Sequence, residues 1–301
     1  MIDGILPIYK EKSYTSHDVV AKLRGILKQR KIGHTGTLDP DATGVLPVCL
    51  GAATKVSDML STGIKEYRTT MLLGIETDTQ DIGGKVLSTG TADISEDRLK
   101  EAIYSFKGIY LQEPPMYSAI KINGKKLVDL ARQGIEVERK KREVEIIEIE
   151  IERMELPEVD MRVLCSKGTY IRTLCHDIGK ALGTVACMKS LIRTKHDMFE
   201  LSKCISLKEV ENLSKEDLDK HIVKIEDYFN YLNKVEVLEE YHRYAINGNK
   251  IEWDFIKSDS EKIKDCKTVR LYSMGLFIGI YEYIAEKKLY KPLKMFYIKD
   301  K

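Results

Sequence analysis

The run Gly33-His34-Thr35-Gly36-Thr37-Leu38-Asp39-Pro40-Asp41-Ala42-Thr43-Gly44-Val45-Leu46-Pro47 packs three glycines and two prolines into fifteen residues. No helix or strand interior tolerates that density, because glycine is entropically costly to order and proline removes a hydrogen-bond donor. The stretch is therefore a shaped loop between two apolar elements, and it carries His34, Asp39 and Asp41. Loops held on a rigid scaffold are where chemistry concentrates. By residue type alone this one suits an anion cradle, a metal loop or a catalytic carboxylate on a tight turn. A plain surface turn is the alternative.

At 301 residues, the chain has room for one large domain, or a large and a small one. Its 43% hydrophobic and 32% charged residues describe an ordinary soluble protein that can bury a core. No apolar run approaches the roughly 20 residues that span a bilayer. Met1 to Pro7 lacks a basic opening segment, so a secretory leader is not expected, and the expected location is cytoplasmic. The cysteines are scattered with no Cys-x-x-Cys spacing and read as small buried apolar residues of a reducing compartment. Cys175-His176 has no second pair at ligand spacing, so no metal is expected. Net charge is only +2, but between Lys121 and Arg142 eight basic residues face three acidic ones, a local excess of +5. That excess suits phosphate contact, and it equally suits a solvated face.

Local patterns mix strands and helices without a strict βαβ rhythm, which favours an α+β fold. Residues 4–9, 45–50, 67–75, 118–122, 144–151 and 159–165 read as strands, with a phase slip at Ile146-Ile147 that suggests a bulge. Ser16 is placed to cap a helix burying Val19, Val20, Leu23, Ile26 and Leu27, and Ser95 one burying Leu99, Ala102, Ile103 and Phe106. Shorter helices are expected at 54–60 and 126–133. Tyr170 to Leu182 is helical by its leucine and isoleucine spacing, and Ser206 to Glu209 is a capping box. Asp78 to Gly84 reads as a polar turn, and 211–233 as charged and helical. The texture changes near residue 233, after which Thr268–Tyr272 and Leu276–Tyr281, joined by a glycine turn, predict a small β-rich unit.

The glycine-rich loop, through Gly33-His34-Thr35-Gly36-Thr37-Leu38-Asp39-Pro40, closely resembles that of the TruB-type tRNA pseudouridine synthases. So, in order, do Thr15-Ser16-His17-Asp18-Val19-Val20, Lys65-Glu66-Tyr67, Pro114-Pro115-Met116-Tyr117-Ser118-Ala119-Ile120-Lys121 and Lys167-Gly168-Thr169-Tyr170-Ile171-Arg172-Thr173-Leu174. Together these blocks cover most of residues 1–200. The C-terminal part is similar, more loosely, to a PUA domain. Two departures stand out: Lys10-Glu11-Lys12-Ser13 where the family has Lys-Pro-x-Gly, and Leu191-Ile192-Arg193-Thr194 where Leu-Arg-Arg-Thr is common.

The resemblance implies a catalytic domain over 1–232, with a central mixed, mainly antiparallel sheet flanked by helices and an RNA-gripping insertion at about 121–142. A PUA-like domain would follow over 233–301. It implies isomerisation of uridine 55 in the tRNA T-loop without any cofactor. The catalytic residues would be Asp39 as nucleophile or charge stabiliser, Arg172 pairing with it and depressing its pKa, and Tyr67 stacking on the extruded base. His34, Tyr170, Leu191, Lys10 and Lys121 are carried over as substrate-binding residues, while Asp41 reads as a turn residue. Lys287, Lys288, Lys291 and Lys294 would lie towards the acceptor end. The partner implied is tRNA alone, bound by a monomer with no obligate protein partner and no membrane. Two other readings remain: a non-catalytic tRNA-binding and folding protein, and a guide-RNA-dependent relative.

Overall fold

The computed structural model describes residues 1–61, 63–257 and 266–297. Two sheets organise it. The larger has nine strands, seven of them along one path: Gly4–Lys10, Thr43–Leu50, Ala186–His196, Lys65–Leu73, Glu158–Cys165, Arg142–Glu155 and Gly108–Gln112. Ile32–His34 and Phe199–Glu200 pair off that path. Every pairing in it is antiparallel except one. Thr43–Leu50 meets Ala186–His196 in parallel over only two residues, Thr43 opposite Ile192 and Gly44 opposite Arg193. The expected mixed, mainly antiparallel sheet with flanking helices is what the chain forms.

Helix Ile171–Ala181 packs Ile171, Leu174, Cys175 and Ile178 against Met71, Met161 and Val163 of the sheet, beside Leu99 and Ile103 of helix Glu96–Tyr104. Helix Ser16–Ile26 lays Val19, Val20 and Leu23 on Leu6, Ile8, Leu46 and Val48. Both helices obey the 3.6-residue spacing of their apolar residues. The bulge expected near Ile146 is present, as a register shift between Ile146 and Glu148.

Several local expectations need correction. Thr15, not Ser16, caps the first helix, in a capping box with Asp18. The strand expected at 118–122 shrinks to Lys121–Ile122, which turns back on Lys125–Lys126 through Asn123 and Gly124 at φ of 50° and 82°. Residues 54–60 are a 3-10 turn, Gly51–Val56, running into Ser57–Leu60, and 211–233 breaks into short helices at Lys215–Asp219 and Ile225–Tyr228. Of the seven strands along the path of the large sheet, Ala186–His196 and Gly108–Gln112 have no counterpart in the sequence-based reading.

The second sheet runs Asn233–Val237, Thr268–Ser273, Leu276–Ile284, Leu289–Met295 and Ile251–Glu252. It has its own core of Val235, Val269, Leu271, Ile278, Tyr281 and Tyr290. Its outer residues Ile280 and Phe296 join Ile5, Val45, Phe199, Tyr228 and Phe229 in a cluster shared with the first sheet. Lys294 pairs with Asp58 at 3.0 Å across the same boundary. Among the described residues no helix is long and apolar enough to cross a membrane.

The parallel contact makes a demand on sequence. Gly44 has φ of 107°, and a Cβ there would overlap the Arg193 carbonyl. We expect Gly44→Ala to cost at least about 2 kcal/mol of folding stability, from backbone strain plus overpacking. Urea unfolding of the purified variant measures this, and an unchanged midpoint would contradict it.

Candidate active site

The glycine-rich loop, the strands Lys65–Leu73 and Ala186–His196 and the start of helix Ile171–Ala181 enclose a cleft of about 660 Å³. Its floor is built by fixing the loop at several points. The buried Ser16 hydroxyl accepts from the Leu38 N–H at 2.9 Å and lies 3.2 Å from the Leu38 carbonyl. Arg193, only 1% exposed, donates from Nε to the Val45 carbonyl at 2.7 Å and from Nη2 to the Gly36 carbonyl at 2.6 Å. Gly36 sits at φ of 64°, where a Cβ would stand 2.5 Å from Cε1 of His196. A side chain at 36 is excluded by both conformation and space.

Asp39 emerges from this fixed loop beside Arg172. The pair is bidentate: Nε to Oδ2 at 2.9 Å and Nη2 to Oδ1 at 3.3 Å. Such fork-to-fork pairing fixes orientation as well as charge. Arg172, at the first turn of its helix, is 4% exposed and is itself held by the carbonyls of Thr79 at 3.0 Å and Tyr117 at 2.9 Å. The Asp81 carboxylate lies 3.6 Å from Nη1.

The electrostatics correct one expectation. Arg172 does pull the Asp39 pKa down, but the desolvation imposed by the cleft walls outweighs it. The carboxyl ends above its ordinary value, although 39% of its side-chain surface remains open. Asp81 and Asp41 add to the rise, and Lys10 opposes it. Asp39 is thus a more basic carboxylate than its arginine partner alone would allow.

Tyr67 lies 7% exposed in the cleft wall, its phenol pKa raised by burial while the neighbouring Arg193 guanidinium pulls the other way. Leu191 lines the same wall at 8% exposure. Tyr170 also lines the cleft, and its backbone is clamped by Gln112, which accepts from the Tyr170 N–H at 2.7 Å and donates to its carbonyl at 3.0 Å. His34 completes the lining. Burial lowers its pKa, so its ring is neutral near pH 7, and its Nδ1 is buried without a partner.

Lys10 and Lys121 are placed differently from expectation. Lys10 has no exposed surface; its ammonium donates to the carbonyls of Glu11, Tyr14 and Pro40 at 3.1, 2.5 and 3.0 Å. It fastens the loop just past Asp39 and has no surface for a ligand to touch. Lys121 lies outside the cleft, on a separate basic surface with Lys125 and Arg132, and the hairpin cation at the cleft is Lys126. Residues missed from sequence include Arg193, Asp81 and Lys65, the last buried beneath the cleft and donating to the carbonyls of Ser61 and Gly63. Asp81 was visible only as part of a polar turn. Cys175-His176 splits: Cys175 enters the apolar core, whereas His176 Nε2 lies 2.9 Å from Glu76.

Known proteins match this arrangement. The model of the TruB family pseudouridylate synthase N-terminal domain matches residues 24–171, and that of the tRNA pseudouridylate synthase B C-terminal domain matches 172–234. A protein of Lachnoclostridium phytofermentans named tRNA pseudouridine synthase B is 49% identical over 98% of this chain and 100% of its own length. One of the same name from Alkaliphilus oremlandii is 47% identical over 85% of each. Among solved structures, one of a Cbf5-Nop10-Gar1 complex aligns with a TM-score of 0.74 at 27% identity, over 99% of this chain and 86% of that one.

The buried ammonium carries a measurable signature. Burial lowers the Lys10 pKa to about 8, below the 10.5 of the free side chain. Between those values the unfolded chain binds more protons than the folded one, so this group makes stability rise with pH. Comparing urea unfolding at pH 7.5 and 9.5, we expect the parent to gain on Lys10→Met. An identical pH response in both would mean that Lys10 titrates as an ordinary surface lysine.

Proposed function

The chain belongs to the TruB family of pseudouridylate synthases, and from that premise we propose that it converts uridine 55 of the tRNA T-loop to pseudouridine with Asp39 as the reacting carboxylate. It is a tRNA pseudouridine synthase. The reaction breaks the N1–C1′ bond, turns the uracil and joins C5 to C1′; the proton leaving C5 is balanced by one gained at N1. It is redox-neutral, and the reading invokes no cofactor. The observation that carries it is the bidentate Arg172–Asp39 pair lining a cleft about 660 Å³ in volume.

In this reading Asp39 serves as nucleophile or stabiliser of charge at the sugar, as carboxylates do in glycosidic chemistry. Its raised pKa supports the role, since a desolvated carboxylate is more basic and more nucleophilic. Arg172 keeps it ionised and aimed. Tyr67 stacks on the extruded base, and its raised pKa keeps the phenol protonated beside the atoms that exchange a proton. Leu191 supplies apolar packing below the base. Base extrusion costs a few kcal/mol of unstacking, and His34 at the mouth offsets part of it by entering the vacated space.

The stretch 121–142 grips RNA by shape and phosphates, with Lys126 and Lys121 among its cations. The reading divides the chain at 232/233, leaving a PUA-like unit whose Lys287, Lys288 and Lys291 face the acceptor end, whereas Lys294 is taken up by its pairing with Asp58; residues 258–265 and 298–301 of that unit lie outside the described residues. It has the protein working in the cytoplasm as a monomer without a protein partner.

Purified protein and one unmodified tRNA transcript, with nothing else added, test the reading. Pseudouridine is expected at the T-loop position; tight binding without product would favour a tRNA-folding protein. With Asp39→Asn we expect turnover to fall at least about a thousandfold, while tRNA affinity stays within about tenfold. Turnover near the parent's would sink the assignment. For Lys126→Ala we expect weaker binding and a log–log salt slope shallower by about one.

A further inference from the structure

Arg172 is held not only by Asp39 but also by the turn Thr79–Asp81, through the Thr79 carbonyl at 3.0 Å and the Asp81 carboxylate at 3.6 Å. Between those two residues stands Gln80. Its φ is 63°, in the left-handed region that glycine and asparagine favour and that glutamine seldom adopts. Something must hold it there. On the backbone side, its carbonyl accepts from the Met188 N–H at 3.0 Å.

The side chain reaches the helix that bears Arg172. Its Oε1 accepts from the Thr173 hydroxyl at 2.8 Å, and its Nε2 lies 3.4 Å from Nδ1 of His176. Thr173 and His176 are 2% and 8% exposed, so these partners are not shared with bulk water. His176 is fixed from its other nitrogen by Glu76 at 2.9 Å, and the Ser88 hydroxyl holds the second Glu76 oxygen at 2.7 Å. The Asp177 carboxylate stands 3.5 Å from the same Nδ1 and, together with Glu76, raises the His176 pKa; in the neutral ring with its proton on Nε2 towards Glu76, Nδ1 accepts from the Gln80 amide. Within one turn, then, the helix presents the arginine at 172 and grips at 173 and 176 the turn that aims it.

We propose that Gln80 is a positioning residue for pseudouridine formation, locking the Thr79–Asp81 turn to the helix so that the Arg172 guanidinium is aimed at Asp39. The proposal rests on the reading of Asp39 as the reacting carboxylate. A side chain that merely filled the turn would leave the rate insensitive to its two hydrogen bonds.

Gln80→Gly separates the two cases, because glycine accepts the left-handed backbone without strain while deleting both bonds. We expect single-turnover pseudouridine formation to slow roughly tenfold or more, with tRNA Kd within about threefold of the parent. The nitrogen resonance of His176 Nδ1 should shift as its donor is lost. Thr173→Val, which removes the same bond from the helix side, should slow the rate in the same direction and serves if Gln80→Gly does not fold. A Gln80→Gly or Thr173→Val protein that keeps the parent's rate while the bond is demonstrably lost overturns the proposal. Asp39→Asn run alongside keeps the two ideas apart: turnover there sinks the reading of the site, whereas an inactive Asp39→Asn with a fast Gln80→Gly sinks only the role of Gln80.

Discussion

The ion pair between Arg172 and Asp39 joins the two parts of the molecule that the rest of the structure exists to hold still. One partner stands on a helix anchored by Ile171, Leu174, Cys175 and Ile178 in the largest core cluster. The other stands on a loop with no regular structure of its own, tied down by Ser16, Lys10 and Arg193. A buried guanidinium is costly unless each face meets an acceptor. Here two carbonyls and two carboxylates meet it, and only one of those carboxylates opens onto the main cleft. The site is therefore an arginine socket, with Asp39 as its ligand on the cleft side.

Around that socket the protein buries cations freely. Lys10, Lys65 and Arg193 have almost no exposed surface. Both lysine pKa values fall to about 8, showing that burial outweighs the nearby carboxylates. Each cation is stabilised by backbone carbonyls rather than by ion pairs, so its charge is left to act on the cleft above. For an enzyme whose substrate is a polyanion, such a field favours the substrate.

Much of this was legible in the sequence, and the exceptions have physical reasons. Asp39 and Arg172 stand in motifs dense with glycine and aromatic residues, and the helix Tyr170–Leu182 shows clean apolar spacing. The strand Ala186–His196, central to the large sheet, was missed because register shifts after Met188 and after Arg193 break its two-residue alternation. Lys10, carried over by the resemblance as a substrate-binding residue, is buried instead; lysine is seldom buried, and nothing local in the sequence signals that three carbonyls wait for it. Ser13, at the position where the family has glycine, keeps a glycine-like backbone. Ser13 adopts φ of 71°, a conformation usually left to glycine, and donates its N–H to Pro40. Tertiary bonds hold a conformation there that propensity would not choose.

The seclusion of Lys10 has a consequence for its chemistry. An amine with a pKa near 8 carries an appreciable free-base fraction at neutral pH, and on a surface it would outpace most other lysines towards acylating reagents. With no exposed surface and three carbonyl partners it is shielded from them. A reagent reaches it only in those moments when the Glu11, Tyr14 and Pro40 carbonyls let go, which is to say when the segment just past Asp39 has lifted. Lys10 is thus a built-in reporter on the opening of the Asp39 loop, silent in the closed molecule and open to reagent only during its excursions.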